Sequence, residues 1–291
     1  MNEDWTAYWD YVGPKSRDEV DLDEESAKLY SEFLENQVPV TYDASQDGGS
    51  YLRLSDVLTQ GQSYTLSEIN QLLEGAIEFG EDFHYEITDT AYIDCGMDGD
   101  IEMLATVGAS EFQLHMVIKN VDGSLKIRYS VDSWSRSYAT FKYTGEIDDG
   151  GSGGATSHVF GTGFLDADCN YHFLDRTYEE LIGEFGAQLS DKSELGLNEN
   201  WLYFEERVTF AEDNPDNQSY YYFSIQDENS NPVKDDPSDP ENPHVKLRQY
   251  YEAKDLQCAT EEELEQMKDS KRKELGVSDE IYHYGEELQP K

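Results

Sequence analysis

The alternating apolar pattern between residues 112 and 131 constrains the fold most. Leu114, Met116 and Ile118 recur at every second position, Leu125, Ile127, Tyr129 and Val131 do so again, and Asn120, Val121, Asp122 and Gly123 separate the two sets. A side-chain period of two belongs to a strand with one buried face, and an Asp-Gly pair between two such runs supplies the positive φ of a tight turn. The stretch predicts an antiparallel hairpin, so the chain must build a sheet and cover it. His115, lying between apolar positions, is expected to face outward.

Short runs rich in Tyr, Phe, Ile, Val and Thr, divided by turn residues, fill residues 83–175 and extend this reading. Helical patterns flank them. Leu29, Tyr30, Phe33 and Leu34 share one side of a helix over residues 24–37, before Pro39. Thr65 and Glu68 form a capping box ahead of Ile69, Leu72, Leu73, Ala76 and Ile77, with Gly80 as the stop; Thr260, Glu263 and Gly276 repeat that arrangement near the other end. Residues 177–186 read as a short helix, and residues 201–210, 219–225 and 245–252 as strands. Residues 227–243 carry four prolines and read as an exposed loop. Residues 1–23, with Trp5, Tyr8, Trp9, Tyr11 and Pro14, read as an irregular aromatic arm. The expected class is α+β: a curved antiparallel β-sheet core with N-terminal and C-terminal helices packed on it. Residues 1–82 supply the arm and first helices, and residues 83–291 the β-rich core and last helix, in one cooperative unit.

Charge narrows the partners. With 63 acidic against 21 basic residues the net charge is −42, which repels phosphate backbones and anionic lipid, so nucleic acid is not an expected partner. Such acidity suits an exported, highly soluble protein or the cytoplasm of a halophile, and composition does not separate the two. No run of about 18 apolar residues is present, so no transmembrane segment is expected. The N-terminal residues MNEDW offer neither a basic nor an apolar leader, so an exported form would carry its signal upstream. Cys95, Cys169 and Cys258 are too few for a disulfide framework and lack zinc-ligand spacing. They read as buried thiols, with a Cys95–Cys169 bridge as the alternative.

One loop carries a pattern with a chemical reason for its spacing. In YIDCGMDGDIEML, residues 92–104, the carboxylates of Asp94, Asp98, Asp100 and Glu102 occupy positions 1, 5, 7 and 9 of a turn whose position 6 is Gly99. Alternating side-chain oxygens around a sharp turn suit a hard cation, so calcium is the expected cofactor. Gly96 at position 3 and Ala105 at position 12 rule out an EF-hand, and the competing reading is a solvated acidic hairpin turn. LDADCN, residues 165–170, echoes the same spacing but has Tyr171 where the turn glycine belongs.

YIDCGMDG at 92–99, DSWSR at 132–136 and GGSGGA at 150–155, in that order, resemble a group of uncharacterised secreted or lipid-anchored proteins of gut-type Firmicutes. Members usually show DCGNDG followed by ELA, where this chain has Met97 for the Asn and Glu102, Met103 and Leu104 for the last part. The likeness covers roughly residues 85–175. It implies export, with an extracellular or cell-surface location and a lipid anchor upstream, and it brings no activity.

Catalytic patterns fail in context. Ser152 lies in a formal G-x-S-x-G with Asp166 and His172 following, but five small residues provide neither the strand nor the helix of a nucleophile elbow. The histidines show no metal-ligand spacing, and acids are too abundant to nominate a glycosidase pair. No catalytic residue is therefore named. The expected function is a non-catalytic binding module for a protein or glycan, with Trp134 and Arg136 as the candidate ligand-binding pair. A secreted hydrolase acting on glycans or esters is the alternative.

Overall fold

The protein is α+β and mostly β. A computed structural model describes residues 20–49, 51–77, 84–183, 187–189, 191–212 and 219–284; residues 1–19 of the expected aromatic arm and the Gly80 stop lie outside them. Among the described residues the strands form two six-stranded sheets. The chain divides into two compact units, Met1–Asp149 with Gly163–His172 and Val277–Lys291, and Gly150–Thr162 with Phe173–Gly276. The first helices lie in the first of these units.

In the first unit, α1 (Glu24–Leu34) starts at Asp23, whose carboxylate accepts from the Glu25 and Ser26 amides, with Glu24 and Glu25 favoured by the helix dipole. Ser26, Tyr30 and Phe33 are its buried residues, and the Tyr30 hydroxyl donates to the Ile101 carbonyl at 2.9 Å. β1 (Val40–Asp47) and β2 (Ser63–Tyr64) precede α2 (Leu66–Ala76), which carries the expected capping box of Thr65 and Glu68. Leu66, Ile69 and Leu73 face the core while Leu72 stands 39% exposed. Each such apolar side chain withdrawn from water contributes about 1.5–3 kcal/mol.

The first sheet is built from β3 (Glu86–Ile93), β4 (Glu102–Ala109), β5 (Phe112–Val121) and β6 (Ser124–Ser133), with β1 and β2 added beside β6 in the order β2-β1-β6-β5-β4-β3. The expected hairpin is β5–β6. Asp122 and Gly123 take φ of 51° and 77°, and the Asn120 side chain accepts from the Gly123 amide. The sheet is antiparallel except for β1, which runs parallel to β6.

Two expectations change here. The register slips between Val117 and Ile118, so that Val117 faces Tyr129 and Ile118 faces Ile127, leaving Arg128 as the extra residue of a bulge. Leu125 and Ile127 therefore pack with Leu114, Met116 and Ile118 in one core, whereas Tyr129 and Val131 join Val117, Phe141 and Leu165 in another. The sheet is covered on both faces, so His115 is not outward-facing. It is buried between Thr106 and Ser133, against the Phe141 ring.

β7 (Ser137–Phe141), β8 (Glu146–Ser152), β9 (Ser157–Leu165) and β10 (Tyr171–Leu181) follow. β8 carries Gly150 and Gly151 within the strand. The helix expected over 177–186 is likewise strand as far as Leu181, paired antiparallel with β11 (Leu202–Thr209) from Arg176↔Thr209 to Leu181↔Phe204; residues 184–186 lie outside the described residues. Tyr178 and its β-branched neighbour Thr177 suit that pairing. β11 pairs with β12 (Ser219–Gln226) throughout its length.

The strand expected over 245–252 is the helix α3 (Pro243–Glu252). Asn242 caps it through the His244 amide, and Pro243 fits the first turn. Val245 and Leu247 imitate a period of two, but the buried residues are His244, Leu247 and Tyr251, at helical spacing. Leu247 and Tyr251 pack with Tyr203, Tyr221 and Phe223 in the second unit's core. α4 (Glu261–Glu274) opens on the second capping box, and α5 (Asp279–Tyr284) follows. Among the described residues no helix is long and apolar enough to cross a membrane.

Candidate functional site

The acidic loop after β3 meets the loop between β9 and β10. Gly96 lies so close to Ala167 that an added Cβ would stand 2.6 Å from the Ala167 amide nitrogen, and its φ of 74° independently favours glycine. Between the two loops stands Lys119. The pairing of Met103 with Ile118 sets Glu102 opposite Lys119 across β4 and β5. The Lys119 ammonium donates to Glu102 Oε1 at 2.5 Å and to the Ala167 carbonyl at 2.9 Å, and lies 3.9 Å from Asp98 Oδ2. Glu102 is fully buried, with its second oxygen accepting from the Cys95 amide at 2.9 Å.

Burial pushes the Glu102 carboxyl up to about 7, although the Lys119 hydrogen bond and charge pull it down. Burial acts to lower Lys119 in turn, but its contact with Glu102 outweighs this and holds the ammonium charged, above the usual lysine range. The two form a full ion pair only above about pH 7.

The four expected calcium ligands are brought together only in part. Asp94 is buried and accepts from the Gly99 amide; its carboxyl is raised, by burial first. Asp98 uses one oxygen on the Asp100 amide, and Asp100 is exposed. Glu102 turns inward to Lys119. No three of these carboxylates bring an oxygen within 4.8 Å of one another; among the described residues the grouping that does is Cys95, Glu102 and Cys169. Sequence reading missed Lys119, which the hairpin register could have placed opposite Glu102.

The second partial loop closes around Asp166. Its carboxylate accepts from the Asp168 and Asn170 amides and from His172 Nε2 at 2.8 Å. Burial raises this carboxyl, but the bonds to His172 and Asn170 outweigh it and leave it below the usual range. Of the formal Ser, Asp, His series, Asp166 and His172 meet, while the Ser152 hydroxyl donates to the Gly154 carbonyl within its own hairpin turn.

An aromatic cluster surrounds Trp134. Tyr51 lies tilted over it with centroids 4.7 Å apart and planes at 32°, and Phe112, fully buried, supports both rings at 5.9 Å from Trp134 and 6.3 Å from Tyr51. Tyr85 meets Phe112 edge-on behind them. The Tyr51 backbone is pinned, since Asp132 Oδ2 accepts from the Tyr51 and Leu52 amides at 2.9 and 2.8 Å. Trp134 begins a turn closed by Ser137, and Arg136 is exposed within it. The Tyr51 ring remains 60% exposed on this fixed base. Nothing in the sequence spacing marks Tyr51, which lies 83 positions before Trp134. Compared with known proteins, the chain matches no family, no curated protein and no solved structure.

Proposed function

We propose that this chain is a non-catalytic binding module of the cell exterior, and that the Tyr51–Trp134 pair is its ligand-contacting surface for uncharged sugar rings. The observation that carries this reading is a large aromatic residue, 60% exposed, whose ring lies tilted against a second ring and is held there by a buried aromatic base and two backbone hydrogen bonds. A side chain ordered beforehand loses little entropy on binding, and its apolar face complements the C–H face of a pyranose. Arg136, in the same turn, offers donors to ring hydroxyls. The net charge of −42 disfavours sulfated or uronic polymers. The external location rests on the resemblance of residues 85–175.

Titration calorimetry against neutral oligosaccharides, with a sulfated glycan as control, tests the reading. The parent chain should bind a neutral glycan, and Tyr51→Ala should weaken it about tenfold or more, since stacking on one aromatic contributes ~1–3 kcal/mol in comparable ring recognition. Binding unaffected by Tyr51→Ala, or confined to the sulfated glycan, would overturn it.

A further inference from the structure

We propose that Cys95 and Cys169 are a disulfide-forming pair, closed by exchange with a small-molecule disulfide while the chain folds in an oxidising compartment. The two cysteines are 74 positions apart, yet their sulfurs lie within 4.8 Å of each other. Three independent contacts hold the loops that carry them. Gly96 seats against Ala167, Lys119 bridges Glu102 to the Ala167 carbonyl, and Arg128 Nε donates to the Asp168 carbonyl at 3.2 Å. The sulfurs are therefore adjacent because of the surrounding structure, and a small approach brings them to bonding distance.

Cys169 also takes φ of 58°, a conformation that favours glycine or asparagine, and it is this backbone that carries its thiol beside Cys95. A metal chelate fits the same atoms less well. Both Glu102 oxygens are already engaged, by the Cys95 amide and by Lys119, so only two sulfurs remain as ligands.

Closure proceeds in two exchanges. One cysteine thiolate attacks the external disulfide, forming a mixed disulfide and releasing one small thiol; the second cysteine then attacks the mixed disulfide and releases the other. Two electrons pass from the cysteine sulfurs to the external disulfide, and the two cysteine protons end on the released thiols. Both side chains are buried in the folded chain, and burial raises the Cys95 thiol, so exchange belongs to the folding chain, before the loops close.

The full chain is refolded from denaturant with oxidised glutathione in one arm and a phosphine reductant in the other. It is then unfolded, alkylated and mapped, with Cys258→Ser in parallel so that just the pair remains. The expected result is loss of the mass of two hydrogens and a cross-linked peptide joining Cys95 to Cys169 in the oxidised arm, in both chains. Because the bridge closes a loop of about 75 residues, the oxidised form should melt roughly 10 °C higher than the reduced one. Quantitative alkylation of Cys95 and Cys169 after oxidative refolding, or a bridge through Cys258 in the parent, overturns the proposal.

Discussion

His115 and Glu102 titrate against each other across the same pH window, and substituting either one should expose the other. His115 sits with Nδ1 3.0 Å from Thr106 Oγ1 and Nε2 3.4 Å from Ser133 Oγ, and burial depresses it to about 4 from an ordinary value of 6.5. Between those values the unfolded chain holds more protons, so the contribution of His115 is fully present above pH 6.5 and is lost as pH falls toward 4. Glu102, raised from 4.5 to about 7, has the opposite sign: its contribution is fully present below pH 4.5 and is lost as pH rises toward 7. Each span corresponds to about 3 kcal/mol, so in the parent the two nearly cancel. His115→Asn, which keeps a partner for Thr106, should lose about 3 kcal/mol relative to the parent between pH 4.5 and 7. Glu102→Gln should gain a similar amount across the same interval. Urea unfolding in small pH steps measures both, and comparing slopes removes pH-independent packing costs and the background of other carboxylates. The reasoning is refuted if the two variants show slopes of the same sign relative to the parent.

Lys119→Met leaves the Glu102 charge without its partner and should cost about 3–5 kcal/mol above pH 7, with much of the loss recovered near pH 5, where Glu102 accepts a proton; chemical denaturation at the two pH values reads this directly. Millimolar calcium should leave the parent's melting temperature where chelator leaves it, because Lys119 already neutralises Glu102 and approaches Asp98. A calcium-specific rise abolished by Asp98→Asn would instead show that the loop holds a cation.

Local signals were legible where one element decides its own structure. The Asn120–Gly123 turn, both capping boxes and the helix around Ile69 and Leu73 follow from short-range chemistry and are present. Errors arose where partners distant in sequence decide. Residues 177–181 became strand because β11 supplies a ladder, and His115 turned inward because both faces of the sheet are covered. The candidate site was half legible for the same reason. The carboxylates of residues 94–102 are visible as a pattern, but the ammonium between them comes from β5 and the loop docked on them from beyond β9. Trp134 was visible and Tyr51 was not, since stacking across the fold leaves no trace in spacing.

The bulge at Arg128 gives β6 one position that tolerates a change of length. Upstream of it Leu125 and Ile127 serve one core, and downstream Tyr129 and Val131 serve the other. The extra residue is itself held, its guanidinium donating to the Asp43 side chain and to the Asp168 carbonyl. Deleting Arg128 would set Tyr129 directly after Ile127 and restore a regular ladder in which Tyr129 still meets Val117 and every later side chain keeps its face. The loss of one residue is therefore absorbed at this position, because Arg128 belongs to neither core, whereas the loss of Ile127 or Tyr129 would take a side chain from one of them.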